Sequence, residues 1–295
     1  MRTPDGPVSP SLGDRDRVAI IAGGGRLPRE LADVLSGSGR PPLMVIVEGE
    51  ANADARLTDF DHIVLPLERY GDLTTLLRKA GATHVVLAGT IERRPALRAL
   101  HWNLGLLKLL PKVIAALAAG DDAILKAIVR HLEDEGFVVL GAHQILPDLL
   151  SSEATISQRR PGPSDDRDIA AAFEAAKAIG ALDIGQAAVA IGGRVIALEG
   201  IEGTDGLLER VAQLRSNGRI AASKGGVLVK CAKPGQELRA DLPTIGPSTV
   251  ERAQTAGLNG IAVEAGRSII LQQALVAERA DRLGLFVIGI AEPRR

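Results

Sequence analysis

At 295 residues the chain is long enough for two domains, each with a core of useful size. With 46% hydrophobic and 24% charged residues it has the composition of a soluble globular protein, while a net charge of −1 and 2% aromatics supply neither a field for a polyanion nor platforms for stacked bases, so nucleic-acid binding is excluded as a general activity. The single cysteine, Cys231, excludes an internal disulfide and a cysteine zinc cluster and fits a reducing cytoplasm.

Residues 1–16 are rich in Pro, Ser, Gly and Asp without an apolar run, and are expected to form a disordered leader rather than a signal peptide. The first domain is expected over 17–150. It opens with the strand-like run Arg17 to Ala22, the turn Gly23, Gly24, Gly25, Arg26, Leu27, Pro28, and a helix marked by Leu31, Ala32, Val34 and Leu35. A glycine turn entering a helix presents backbone N–H groups where the dipole favours an anion. The dinucleotide fingerprint would need glycine where Pro28 stands, although Glu48, closing the strand Leu43 to Val47, sits about where a ribose-binding acid would. Nucleotide or phosphate binding and a purely structural turn both remain open here. Further strands are expected at 63–67 and 84–88, with a helix carrying Leu73, Leu76 and Leu77 between them. This alternation means a parallel sheet, whose ligands lie at the carboxyl ends of strands, the place of Gly89 and Thr90.

The stretch from Arg93 to Ala119 is leucine-rich but broken by Pro95, Gly105 and Pro111 and dotted with cations, which is too charged for a membrane span. It reads either as core helices or as an apolar surface rimmed by cations. Gly120, Asp121 and Asp122 are expected to cap a helix through Leu132, followed by a strand at 137–140. Residues 151–167, with two prolines and no apolar periodicity, read as the linker to a second domain over 168–295.

That second domain begins with an alanine-rich helix at 169–179 and the string Asp183, Ile184, Gly185, Gln186. A hairpin follows, 187–191 and 194–198 around Gly192 and Gly193. The outgoing strand ends in Glu199, Gly200, Ile201, Glu202, Gly203, Thr204 and Asp205, where carboxylates could hold Mg²⁺ or where Thr204 or Asp205 could simply cap the next helix. After the strand 227–229 comes the densest polar stretch of the chain, with Lys230, Lys233, Gln236, Glu237, Arg239, Asp241 and Thr244 between two prolines and two glycines. Cations of this kind neutralise phosphate oxygens while a carboxylate binds metal or orients water; the alternative is a solvated loop. Alternating helices and strands then run to the C-terminus. The fold class is α/β, a Rossmann-like parallel-sheet domain plus a C-terminal α/β domain, with a ligand cleft expected between them.

The strings AGGGRLP, LDIGQAAVA, LEGIEGTDGLLERV, LVKCAKPGQELRADLPTIGPSTV, GLNGIAVEAGRSIIL and LGLFVIG, in this order from about Val18 to Ile290, resemble the LpxI-type UDP-2,3-diacylglucosamine diphosphatases of lipid A synthesis. The resemblance implies hydrolysis of the pyrophosphate of a UDP-linked diacyl glucosamine to UMP and 2,3-diacylglucosamine 1-phosphate, with water attacking the β-phosphorus and a divalent cation, Mg²⁺ or Mn²⁺. It implies a cytoplasmic homodimer in peripheral contact with the inner membrane face, and it makes Asp241, in RADLPTIG, the catalytic residue. Ala240 stands where many relatives carry valine. Candidate substrate contacts are Gly23, Gly24, Gly25, Leu27, Pro28, Gly89, Thr90, Asp183, Gln186, Gly203, Thr204, Lys230, Lys233, Gln236, Arg239 and Thr244; candidate metal ligands are Asp241, Glu199, Glu202 and Asp205. For the lipid, Leu100, Leu104, Leu107 and Leu110 offer apolar surface, with Arg94, Arg98, Lys108 and Lys112 to meet anionic headgroups.

The residues themselves agree with phosphoanhydride hydrolysis, which needs charge neutralisation and an aligned water rather than a covalent nucleophile. The chain has no serine elbow and no histidine-rich dimetal sequence, and its five histidines are scattered, so a carboxylate-held Mg²⁺ or Mn²⁺ is the fitting metal. Two other readings stand beside it: an NAD-dependent oxidoreductase, favoured by Glu48 and opposed by Pro28, and a nucleotide-binding protein without chemistry.

Overall fold

The computed structural model describes residues 12–50, 56–91, 93, 121–220 and 225–291. The chain forms two compact units, one of Met1–Pro147 with Glu237–Asp241, the other of Asp148–Gln236 with Leu242–Arg295. The first eleven leader residues and the leucine-rich stretch, with Arg94, Arg98, Leu100, Leu104, Leu107, Lys108, Leu110 and Lys112, lie outside the described residues.

In the first unit, β1 (Val18–Ala22), β2 (Leu43–Val47), β3 (His62–Leu65), β4 (His84–Ala88) and β5 (Val138–Leu140) form one sheet, accompanied by helices α1 (Leu27–Gly37), α2 (Leu73–Lys79), α3 (Asp121–Asp134) and α4 (Ala142–Ile145). The strand order is β3-β2-β1-β4-β5 and every pairing is parallel. All five residues of β1 and of β2 are buried, the unbroken apolar runs expected of strands covered on both faces. Of these, Ala19, Ile21, Leu43, Val45 and Val47 make one core with Val85, Leu73, Leu77, Val129, Leu132 and Phe137. The order reverses between β1 and β4, so the crevice at this sheet's topological switch point opens at their carboxyl ends. That end is where the chain places Gly23 to Gly25 and Gly89 to Thr90.

The second unit contains α5 (Pro163–Ala181), β6 (Ala187–Ile191), β7 (Arg194–Leu198), α6 (Gly203–Ser216), β8 (Val227–Lys230), β9 (Thr244–Ile245), α7 (Pro247–Thr255), β10 (Gly260–Glu264), β11 (Ile269–Ile270), α8 (Gln273–Leu283) and β12 (Phe286–Ile290). Five strands order as β12-β10-β8-β6-β7, parallel from β12 to β8 and antiparallel from there; β9 and β11 pair separately. Side chains alternate across the main sheet as the two-residue period requires. Ala187, Val189, Leu228 and Ile261 join one core with Leu207, Leu208, Val250 and Val276. Ala188, Ala190, Val227, Val229 and Ala262 face Ile169, Ala172, Phe173 and Ala176 of α5.

The stretch read as a linker differs from that reading. Thr155 bridges Ile288 and the Ser157 hydroxyl accepts the Val287 N–H at 2.9 Å, so these residues are packed parts of the second unit; Leu150, expected to close the first domain, bridges Ile269 of the second. Helix α5 starts at Pro163, six residues before the expected Ile169. Proline is at home in a first helical turn, and the polar residues after it are used internally. Asp165 accepts the Gly162 N–H (3.0 Å) and the Asn259 amide (2.9 Å), and Asp168 accepts Gly193 N–H at the hairpin turn (2.5 Å).

Candidate active site

In the first unit the two glycine turns at the switch point are stitched together. Gly23 N–H donates to Ala88 O (2.9 Å), Gly24 N–H to Thr90 O (2.7 Å), and Thr90 N–H to Gly24 O (3.0 Å). A Cβ on Gly23 would lie 2.3 Å from Thr90 O, and one on Gly89 2.3 Å from Gly24 O, so this crossing accepts glycine alone. The expectation of free N–H groups at Gly23 and Gly24 is thereby corrected: both are used within the protein. Gly25 (φ 91°) is exposed, as is Arg26, ahead of Leu27 and the buried Pro28 of the first turn of α1. Glu48 is exposed at the end of β2, where its carbonyl accepts from Arg93 (3.1 Å). Arg93 also meets Glu68 through its guanidinium and Glu50 through its N–H.

Asp241, half-buried, ends the five-residue segment that belongs to this unit. The Glu237 carbonyl accepts the N–H groups of both Ala240 and Asp241 at 3.0 Å. The Glu237 carboxylate receives two bonds from Arg239, Nε at 2.9 Å and Nη2 at 3.0 Å, and Nη1 of Arg239 reaches Glu133 at 2.5 Å. Beside this guanidinium the Glu237 carboxyl is held below its ordinary value, and the two carboxylates raise the Arg239 value in turn. Arg239, read as a substrate contact, therefore has its charge met by the protein. Asp122, in the first turn of α3, accepts the Glu237 N–H at 3.1 Å and pairs with Lys126 at 2.5 Å.

In the second unit, Lys230 closes β8 almost fully buried and donates to Thr244 O (3.1 Å); the Thr244 hydroxyl donates to Leu242 O (2.9 Å). Lys233 Nζ lies 2.5 Å from Asp183 Oδ1, and its N–H donates to Gln236 Oε1 (2.8 Å). Asp183 takes a left-handed conformation (φ 54°), tolerable for an aspartate in a tight loop. Gly185 runs so close to the next loop that a Cβ would lie 2.4 Å from Glu199 O. Gln186 carbonyl accepts from Cys231 N–H (2.9 Å), while its Oε1 is buried with no partner in the protein. The buried Glu199 carboxylate accepts the Thr204 hydroxyl at 2.8 Å; Gly203 has φ 70°.

The remaining metal candidates are engaged by cations, Glu202 by Arg210 at 2.9 Å and Asp205 by Arg252 at 3.1 Å. Among the described residues no three His, Cys, Asp or Glu side chains converge on one point. A cage of several protein ligands is thus absent from them. Mg²⁺ does not require one, since it keeps waters and is often held by one or two carboxylates plus substrate phosphates.

Two features escaped the sequence reading. Glu264, at the carboxyl end of β10 and 3% exposed, binds Lys177 Nζ (2.7 Å) and the Ala232 N–H (2.8 Å). The only signal was its place at a strand end within GLNGIAVEAGRSIIL. His143, in α4, has a buried Nδ1 without a partner, and burial lowers its pKa toward the neutral imidazole; nothing in the spacing of the histidines marked it.

By strand order and switch-point turn the first unit is a Rossmann-type α/β body, and the second is a mixed-sheet α/β body. The LpxI N-terminal domain model matches residues 17–149 and the LpxI C-terminal domain model residues 152–288; the chain belongs to the LpxI family. It is 40% identical over 280 residues, 95% of this chain and 99% of the relative, to the UDP-2,3-diacylglucosamine pyrophosphatase LpxI of Caulobacter vibrioides.

Proposed function

We propose that this protein hydrolyses UDP-2,3-diacylglucosamine to UMP and 2,3-diacylglucosamine 1-phosphate, a step of lipid A synthesis. The observation that carries the reading is 40% identity over 95% of the chain to a relative named as a pyrophosphatase of this substrate. The oxygen of water bonds to the β-phosphorus, the bond from that phosphorus to the bridging oxygen breaks, and UMP leaves with the bridging oxygen. Asp241 is the proposed catalytic residue: its carboxylate orients the attacking water and is the group suited to hold Mg²⁺ or Mn²⁺. Such a cation, when bound, neutralises charge building on the phosphate oxygens. Hydrolysis in ¹⁸O-water tests the reaction: label is expected in the sugar phosphate, and label in UMP would overturn attack on the β-phosphorus. Enzyme stripped with chelator is expected to lose activity and to recover it on titration with Mg²⁺ or Mn²⁺; full activity in excess chelator would refute metal dependence.

We further propose contact with the lipid, as a peripheral protein. Among the described residues no helix is long and apolar enough to cross a membrane. Support comes from Leu182, Ile184, Leu198 and Ile201, which are exposed on or beside the adjoining loops around Gly185 and Glu199, Leu198 at the end of β7, Leu182 at 72% and Ile201 at 98%. Each methylene taken from water contributes roughly 0.8 kcal/mol, so acyl chains would favour such a surface. Leu182→Asp with Ile201→Asp is expected to leave stability within about 0.5 kcal/mol, as is usual for exposed positions, and to lower turnover of substrate presented in vesicles severalfold. Unchanged turnover would move the lipid contact elsewhere. A homodimer is likewise proposed, to be tested by light scattering.

A further inference from the structure

We propose that Asp122, Glu133 and Arg239 are positioning residues for the Asp241 carboxylate; this rests on Asp241 being the catalytic group named above. Asp241 lies four positions after Glu237, and the turn between them is closed by the Glu237 carbonyl, which accepts the N–H groups of Ala240 and Asp241. Whatever holds Glu237 therefore holds the backbone of Asp241. Glu237 is held twice. Its N–H donates to Asp122 (3.1 Å), near the start of α3, and its carboxylate takes the two-pronged grip of Arg239, whose third nitrogen binds Glu133, near the end of the same helix.

Asp122 and Glu133 stand eleven residues apart, about 16 Å along a helix at 1.5 Å per residue. Two anchors that far apart on one rigid element fix both the place and the direction of a short segment. Ala240 adds a third point by packing against the core of the first unit. The backbone at Arg239 passes over Gly141, where a Cβ would come within 3.2 Å of Arg239 Cα. Nε, Nη1 and Nη2 of Arg239 each have a carboxylate partner, so this guanidinium is engaged in holding the segment.

A reacting group misplaced by about 1 Å can lose on the order of a hundredfold in rate. Asp122→Ala and Glu133→Ala are therefore expected to lower kcat by about ten- to a hundredfold at unchanged KM. Asp122→Asn, whose amide oxygen can still accept the Glu237 N–H, is expected to stay within about threefold of the parent, since a neutral acceptor replaces the charged one. The assay uses UMP release by the full chain, with Asp241→Asn measured in parallel and folding followed by circular dichroism. If Asp122→Ala fails to fold, Glu133→Ala, at a side chain 40% exposed, carries the test alone. Wild-type kcat in the folded alanine variants beside an inactive Asp241→Asn would overturn the positioning role and leave Asp241 standing. An active Asp241→Asn would remove the catalytic assignment and this inference with it. A raised KM at unchanged kcat would also overturn it, because that is the signature of a substrate contact.

Discussion

Asp241→Asn is expected to fold like the parent protein and to release UMP on the order of a hundredfold or more slowly, the loss usual when a group acting on the transition state is removed. The replacement keeps the size of the side chain and leaves the backbone bond from Asp241 N–H to Glu237 O in place. What it removes is a negative charge on a half-buried residue at the end of a segment held by Asp122, Glu133 and Arg239. The residue of this segment that packs against the core is its neighbour Ala240, which the replacement leaves in place. Steady-state turnover at saturating substrate, with thermal unfolding as the control, decides the matter: parent-like kcat would leave Asp241 with no part in the reaction.

The largest stability effect is expected at Lys177. Its ammonium and the Glu264 carboxylate are 2.7 Å apart, with side chains 18% and 4% exposed. Removing one partner of a buried pair leaves an uncompensated charge, which costs about 3–5 kcal/mol. Lys177→Met should therefore lower the unfolding midpoint by roughly 10 °C, given the few degrees that each kcal/mol moves a unit of this size. Replacing both residues, Lys177→Met with Glu264→Leu, should recover only part of the loss. Glu264 also accepts the Ala232 N–H, and a buried donor left unpaired costs about 1–3 kcal/mol. A single variant that melts with the parent would show that water or Arg267, 3.7 Å from Glu264, compensates the charge.

Much of the fold is legible because it depends on local pattern. The runs VAIIA and LMVIV are continuous in apolar character and become buried parallel strands. The glycine turns are readable as turns because a Cβ has no room at Gly23 or Gly89. The roles of individual charges are less legible, since a charge in sequence does not declare its partner. Arg239 reads as a free cation in the sequence, and its partner Glu133, more than a hundred residues earlier, shows only in the structure. Glu202 and Asp205 read as carboxylates open to a cation, and their pairing with Arg210 and Arg252 is not visible in the sequence. Asp165 looks like linker polarity, yet it anchors a helix start, and Asp168 just beyond it anchors a hairpin turn. In each case a long-range contact decides, and composition is silent on it.

The membership of Glu237–Asp241 in the first unit bears on the order in which the protein is made. A chain leaves the ribosome from its N-terminus, at about 5–20 residues per second. The first unit's continuous part ends at Pro147, and its last piece begins at Glu237, about 90 residues and some 5–20 seconds of synthesis later. Until then Asp122 and Glu133 lack the backbone donor and the guanidinium that they later bind, and the seat of Ala240 stays open. The nascent first unit is thus an unfinished body during translation, and a ribosome stalled between these two points would display it in that form.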